Sequence, residues 1–259
     1  MLILNDIVFR FEAERAHGRG EQPVLSCRYA AAFECGTLHA VAGRSGAGKT
    51  TLLYLLAGFY KAQSGQITLN GMPIQHLPAR KRPVSMLFQE NNLFAHLTAR
   101  ENIAVGICGK PRADKGLDAR ITEAMERAGI AALGAELPEN LSGGEKKRTA
   151  LVRSLMRAEM LYNSSGGHIC PLLLLDEPFN ELDMHAKAQF KSLLVSAPVL
   201  KNAVIIYTAH QPEDILDTAE RLYVIEAADG EARIAENGTP AELRRNNTSV
   251  FSRLCTGGQ

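Results

Sequence analysis

The hydrophobic and polar positions fall into short apolar clusters at first and longer helical periods further along. Leu2, Ile3 and Leu4, then Ile7, Val8 and Phe9, are apolar and rich in β-branched residues, which predicts an early strand. Residues 17–22 (HGRGEQ) are polar and Gly-rich and predict a loop or hairpin tip. Residues 38–42 (LHAVA) form a short apolar run between Gly36 and Gly43, suited to a buried strand. Thr51, Leu52, Leu55, Leu56 and Phe59 then recur at three- and four-residue spacing, predicting a helix that ends before Gly65. Residues 66–71 read as a strand entering an Asn-Gly turn. From about residue 99 to 158 strand signals are scarce. Ile121, Met125, Ala128 and Ile130 lie at helical spacing there, as do Ala150, Leu151, Ser154 and Leu155, which predicts a helical subdomain inserted into an α/β domain. Strands resume at 172–175, 203–208 and 221–225, with a short helix over 213–219. Strands alternating with helices imply a mainly parallel, covered sheet. Residues 163–167 (NSSGG) predict a flexible polar loop, and no internal repeat is present.

Composition narrows the class. With 259 residues the chain accommodates one to two domains. Lys and Arg total 29 against 28 Asp and Glu, a net charge of +1, so no strong field draws it to nucleic acid or anionic lipid. Hydrophobic residues at 46% and charged residues at 22% indicate a globular protein rather than a disordered one. No apolar run approaches the roughly 18 residues of a membrane span. The N-terminus (MLILNDIVFRFE) lacks the basic start and cleavage site of a secretory signal. Five scattered cysteines without a CxxC pair argue against a disulfide framework or a zinc site, and for buried free thiols in a reducing compartment. The expectation is a soluble cytosolic protein, or one held at a membrane by a partner.

Two sequence features carry chemistry. Gly43-Arg44-Ser45-Gly46-Ala47-Gly48-Lys49-Thr50 fits G-x-x-x-x-G-K-[ST] between a predicted strand and a predicted helix. In such a loop backbone N–H groups surround phosphates, Lys49 reaches the β- and γ-phosphates, the Thr50 hydroxyl ligates Mg²⁺, and the helix directs its positive end at the same anion. Further on, Asp176 and Glu177 follow four consecutive leucines, at the carboxyl end of a buried strand where parallel sheets place their sites. Asp176 suits Mg²⁺, often held through water, and Glu177 suits orientation or deprotonation of an attacking water.

Leu141-Ser142-Gly143-Gly144-Glu145 resembles the signature of ATP-binding-cassette (ABC) ATPases, and it lies between the two phosphate-site motifs at the start of a predicted helix. The other parts match as well: Gln89 in Leu87-Phe88-Gln89-Glu90 resembles the Q-loop glutamine, Asn180-Glu181-Leu182-Asp183 the D-loop, and His210 the switch histidine that ends a strand. Phe11 stands where the family has an aromatic that stacks on adenine; a lone Phe serves equally in a core. The resemblance implies a P-loop NTPase (RecA-like) core over residues 1–228, with a mainly parallel sheet, an antiparallel β edge and a helical subdomain inserted at about 95–160. It leaves 229–259 as a short tail without a regulatory domain. It further implies ATP and Mg²⁺ as ligands, the nucleotide held by residues 43–51 (Thr51 included) with Phe11 and Gln89, and the metal by Thr50, Gln89 and Asp176. Catalysis falls to Glu177, His210 and Lys49. The signature cannot reach the cradle of its own copy, so a head-to-tail homodimer is implied, in which Ser142, Gly143, Gly144 and Glu145 of one copy cap the γ-phosphate held by the other, with Asp183 in the D-loop. Glu145 and Lys147 stand where Gln is more usual, Asn180 replaces a small residue, and 160–169 resembles an insertion with an exposed loop.

Within the family, residues 82–98 (RPVSMLFQENNLFAHLT) resemble most closely the ATP-binding subunits of bacterial thiamine importers, and the short length agrees. That likeness implies a subunit energising uptake of thiamine or thiamine phosphates, peripheral on the cytoplasmic face of the inner membrane. Its partners are then a second copy, a transmembrane permease gripped through Leu93, Phe94 and Leu97, and indirectly a periplasmic solute-binding protein, with no nucleic acid. Packing within the helical subdomain accounts equally well for those three apolar residues. The competing readings are an importer ATPase for another small solute (iron, sulfate, polyamine) and a soluble ABC ATPase outside transport. The latter calls for tandem cassettes or a long coiled coil, and neither is present. A phosphate-loop kinase or GTPase leaves Ser142, Gln89 and His210 unexplained.

Overall fold

The computed structural model describes residues 1–11, 26–90, 93–246 and 248–255. The stretch 17–22, expected as a loop or hairpin tip, lies outside the described residues. The chain divides into one unit of Met1–Arg82 with Ile206–Gln259, and another of Pro83–Ile205.

In the first unit, β1 (Leu2–Arg10) buries Leu2, Leu4 and Ile7. It pairs antiparallel with β2 (Ser26–Phe33) and with β4 (Ser64–Leu69). A register shift between Leu4 and Ile7, where Asp6 adopts φ 49°, explains why two apolar clusters separated by polar residues belong to one strand: the irregularity returns Ile7 to the buried face. The expected Asn-Gly turn is present. Asn70 (φ 52°) and Gly71 (φ 78°) both take positive φ and join β4 to β5 (Met72–Pro73), as a tight hairpin requires. β3 (Leu38–Ala42) is buried at all five positions and runs parallel to β9 (Arg221–Ala228). β10 (Glu231–Gly238) returns antiparallel along β9 and lies parallel to β2. The strand order is β5-β4-β1-β2-β10-β9-β3-β8, where β8 (Val204–Ala209) contains the residues at which the two units divide. The helices here are α1 (Lys49–Ala57), the single turn α6 (Glu213–Leu216), α7 (Pro240–Arg245) and α8 (Val250–Cys255).

The second unit pairs β6 (Val84–Leu87) parallel to β7 (Leu172–Leu175), and adds α2 (Ala99–Cys108), α3 (Lys115–Arg127), α4 (Gly143–Ser164) and α5 (Met184–Ser196). Ile103 and Ile107 of α2, Ile121 and Met125 of α3, and Val152 and Met156 of α4 meet in one buried cluster, so the helical spacing read along this stretch marks a core. Each helix has a side-chain N-cap: Thr98, Asp114, Ser142 and Asp183. The polar loop expected at 163–167 starts later. Helix α4 continues through Ser164, and Gly166 (φ 65°) and Gly167 (φ 79°) then turn the chain out of it. Cys27 is a buried free thiol as expected, but the free thiols of Cys108 and Cys255 are exposed and half-buried, and Cys35 and Cys170 are disulfide-bonded. The expectation of free thiols throughout fails at those two positions, because an odd cysteine count excludes complete pairing and not a bridge. Among the described residues no helix is long and apolar enough to cross a membrane.

Candidate functional site

Residues 43–50 leave the carboxyl end of β3 and enter α1. Gly48 is the N-cap of α1 with φ 100°, and a Cβ there would lie 2.5 Å from the Tyr29 hydroxyl oxygen. A Cβ on Gly43 would lie 2.5 Å from the Ile225 carbonyl oxygen. These glycines are thus required by the protein's own packing as well as by any ligand's approach. Gly46 (φ 77°) has open space around it, so there the requirement is conformational. The buried Tyr29 hydroxyl donates to the Gly48 carbonyl at 2.8 Å and fixes the top of the helix.

Lys49 is 5% exposed, and its Nζ donates to the Gly43 and Arg44 carbonyls, each at 3.0 Å. The ammonium is therefore held inside the arch of the loop. The first turn of α1 carries no side-chain cap and no acidic residue of its own, the arrangement that suits an anion at the amide end of a helix. Ala47 and Gly48 are buried, Thr50 is half-buried and Thr51 lies inside, while Arg44, Ser45 and Gly46 are exposed along one wall of a cavity of about 420 Å³. At the other end of α1, buried Arg82 donates from Nη1 to Leu55 O (2.6 Å) and Leu56 O (2.8 Å), from Nη2 to Gln75 O (3.0 Å) and from Nε to Leu77 O (3.0 Å). A cation thereby caps the carbonyl end of the helix whose amide end forms the cradle. Burial lowers the Arg82 pKa from its ordinary value.

Phe11 is 37% exposed and stands edge-on to Phe9 (4.9 Å) and Tyr60 (5.9 Å), while Phe9 and Tyr60 stack at 5.0 Å. It is the exposed member of an aromatic cluster rather than a core residue. His210 follows β8 by one residue and is exposed.

In the second unit, strand register sets the segments that carry Gln89 and Asp176 side by side. Leu87 of β6 faces Leu175 of β7, and the Asp176 amide donates to the Leu87 carbonyl at 2.9 Å. Both residues thus leave the carboxyl ends of neighbouring parallel strands, Gln89 exposed in a turn and Asp176 only 1% exposed. Glu177 (φ 45°) and Glu181 (φ 61°) both occupy the left-handed region, which costs a non-glycine residue about 1–2 kcal/mol and is retained where surrounding structure enforces it. Among the described residues no group of three or more His, Cys, Asp or Glu could hold a metal. The candidate donors Thr50, Gln89 and Asp176 are all oxygen donors of the kind Mg²⁺ prefers when it keeps water and substrate phosphate as its other ligands.

The signature residues open α4. Ser142 Oγ accepts from the Glu145 amide (3.3 Å) and the Glu145 carboxylate accepts from the Ser142 amide (2.8 Å), a capping box. Those bonds hold the Glu145 carboxyl below the usual carboxylate range. Gly143 has nothing within 4 Å of a Cβ position, whereas a Cβ on Gly144 would lie 3.3 Å from Ala186 Cβ of α5. Asp183 N-caps α5, accepting from the Ala186 amide at 2.7 Å.

Four residues to which the sequence reading gives no role in the site support it: Tyr29, Arg82, Asn102 and Lys147. Asn102 is fully buried; its Oδ1 accepts from the Phe94 amide (2.7 Å), and its Nδ2 donates to the carbonyls of Phe94 (3.1 Å), Leu97 (2.9 Å) and Thr98 (3.0 Å). That fixes the turn before α2 and leaves Phe94 46% exposed, with Leu93 and Leu97 half-buried. The helical period of α2 marks Asn102 as one residue from the apolar stripe, a signal that could have singled it out.

An ABC transporter family profile matches residues 29–180. The chain is 40% identical over 211 residues to the thiamine import ATP-binding protein ThiQ of Chelativorans sp. (strain BNC1), covering 79% of this chain and 81% of that protein. It is 37% identical over 230 residues to ThiQ of Escherichia coli (strain K12), covering 89% and 93%. Among solved structures, the dimeric ATP-binding cassette MJ0796 in a post-hydrolysis state bound to ADP and phosphate superposes with a TM-score of 0.72 at 20% identity, over 93% of this chain and 99% of that one. A bacterial Atm1-family ABC exporter with ATP bound gives a TM-score of 0.71 at 26% identity, over 99% of this chain and 41% of the exporter.

Proposed function

This chain belongs to the ABC transporter family, and from that membership we propose that it is the ATP-hydrolysing subunit of a bacterial importer of thiamine or thiamine phosphates. The observation that carries the nucleotide half of this reading is the Lys49 ammonium held on two carbonyls inside a glycine arch, at the uncapped start of a helix. The vitamin half rests on likeness to proteins named for thiamine import, at about 40% identity over most of the chain.

The roles divide between the two units. In the first, Lys49 leaves the Gly43 and Arg44 carbonyls for the β- and γ-phosphates, the amides of residues 43–51 surround them, and Phe11 stacks on adenine. In the second, Glu177 orients the attacking water and takes its proton as the water oxygen bonds to the γ-phosphorus and the bond to the β-phosphate oxygen breaks, leaving ADP and phosphate. His210, which belongs to the first unit, polarises the γ-phosphate. Thr50, Asp176 and Gln89 would hold Mg²⁺, which would supply positive charge against that of the phosphates. Ser142, Gly143 and Gly144, at the amide end of α4, cap the γ-phosphate bound by a second copy docked head to tail. ATP therefore favours the closed pair, and hydrolysis releases it. Phe94 and Leu97 meet the permease from the cytoplasmic face of the membrane. No group in this subunit touches the vitamin, and solute selectivity lies in the permease and its receptor.

Uptake of labelled thiamine in a strain lacking this chain tests the assignment. Uptake is lost in the deletion, restored by the wild-type chain and not restored by Glu177→Gln. Undiminished thiamine uptake together with lost uptake of another solute would refute the vitamin and leave the ATPase standing.

A further inference from the structure

Lys147 lies on the first turns of α4, where Gln is more usual in the family. In the structure it is 3% exposed. Its Nζ donates to the main-chain carbonyl of Asn180, in the turn that links β7 to α5. The charged groups facing it are the carboxylates of Glu181 and Glu177 and the ammonium of Lys187. Burial lowers its pKa, and the two carboxylates act in the opposite direction. The turn it reaches is the strained one: Glu177 and Glu181 bracket Asn180, both at positive φ, and within the turn the Asn180 amide donates back to the Glu177 carbonyl at 3.2 Å. Strain of this kind persists where surrounding structure enforces it. Around Lys147 the start of α4 is packed against the start of α5: Arg148 Nη1 donates to Gln189 Oε1 at 2.7 Å, and a Cβ on Gly144 would meet Ala186 Cβ at 3.3 Å.

We propose that Lys147 is a positioning residue for the 177–181 turn: its ammonium ties that turn to the signature helix, so that the orientation of Glu177 depends on the placement of α4. The proposal rests on the reading of Glu177 as the residue that acts on water. Since the signature serves the nucleotide of a partner copy while Glu177 serves its own, Lys147 links the two events within one chain. A donor is required at Nζ to satisfy the Asn180 carbonyl. Gln, whose amide can donate, is an acceptable substitute; Met, of similar length and apolar, is not, and Thr is too short to reach.

Steady-state ATP hydrolysis by the full chain tests this with Lys147→Met, Lys147→Thr and Lys147→Gln, alongside Glu177→Gln. Lys147→Met and Lys147→Thr lower kcat about tenfold or more with KM for ATP unchanged, since a small displacement of a reacting group is costly, while Lys147→Gln keeps most of the rate. Thermal melts of each variant identify any that fail to fold, and either donor-lacking variant suffices for the comparison. A purely structural lysine would lower the melting temperature and leave kcat per folded molecule unchanged; that result, or a change in KM with kcat intact, overturns the proposal. Glu177→Gln separates the two readings. If it is inactive while Lys147→Met is normal, only the positioning role falls. If it turns over at the wild-type rate, the assignment of Glu177 falls, and this proposal with it.

Discussion

Replacing Tyr29 and Gly48 singly and together tests how the phosphate cradle is built. Tyr29→Phe removes the 2.8 Å bond to the Gly48 carbonyl, but that oxygen also accepts from the Leu52 amide at 3.0 Å and is not left unsatisfied. The loss is therefore that of one ordinary hydrogen bond, about 0.5–1.5 kcal/mol. Gly48→Ala costs more. A non-glycine residue at φ 100° adds about 1–2 kcal/mol, and its Cβ, 2.5 Å from the Tyr29 oxygen, adds overpacking of about 1–3 kcal/mol. In the double variant the oxygen is gone and the next neighbours of the Cβ are Ala232 Cβ at 3.2 Å and Cys27 Sγ at 3.5 Å, so much of the overlap disappears while the dihedral cost remains. Urea unfolding of the four proteins, read as a double-mutant cycle, yields a favourable interaction energy of about 1–2 kcal/mol between the two substitutions. Additivity within about 0.3–0.5 kcal/mol would refute the overlap as the reason glycine stands at 48.

Lys49→Ala removes the ammonium from the arch and weakens ATP binding in equilibrium titration by at least about tenfold, the effect of a lost charged hydrogen bond; unchanged affinity would contradict the cradle assignment. Phe94→Ala, on a turn that Asn102 holds from inside, leaves ATP hydrolysis by the isolated subunit intact and uncouples it from transport in the assembled importer; wild-type uptake would return Phe94 to a role in local packing.

Much of the fold is legible in the sequence wherever one face of an element is buried. The 3.6-residue spacing of Ile121 and Met125 marks the core of the helical region, and the run at 172–175 marks a strand covered on both faces. Strands whose pattern is mixed escape this reading. β10 sets Glu231, Arg233 and Glu236 around the small Ala232 and the half-buried Ile234; it follows β9 through the Asp229-Gly230 turn, but its pairing with β2 comes from a partner far away in the chain. Of the site, the motif residues stand out because their spacing serves chemistry. The residues that hold them do not, Asn102 apart: Tyr29, Arg82 and Lys147 each work through a main-chain carbonyl, and a backbone partner leaves no trace in residue identity. Arg82 shows the point most clearly, since a lone arginine beside Pro83 looks solvated until the carbonyl end of α1 is seen around it.

The central claim is that the two half-sites of one chain become competent only across a pair of copies. Light-scattering mass of Glu177→Gln, with and without ATP and Mg²⁺, tests it most directly. A monomer without nucleotide that doubles in mass on adding ATP, and fails to do so when Ser142→Arg blocks the signature, is the result the account predicts. A variant that binds ATP and stays monomeric, alone and together with its permease, would contradict it.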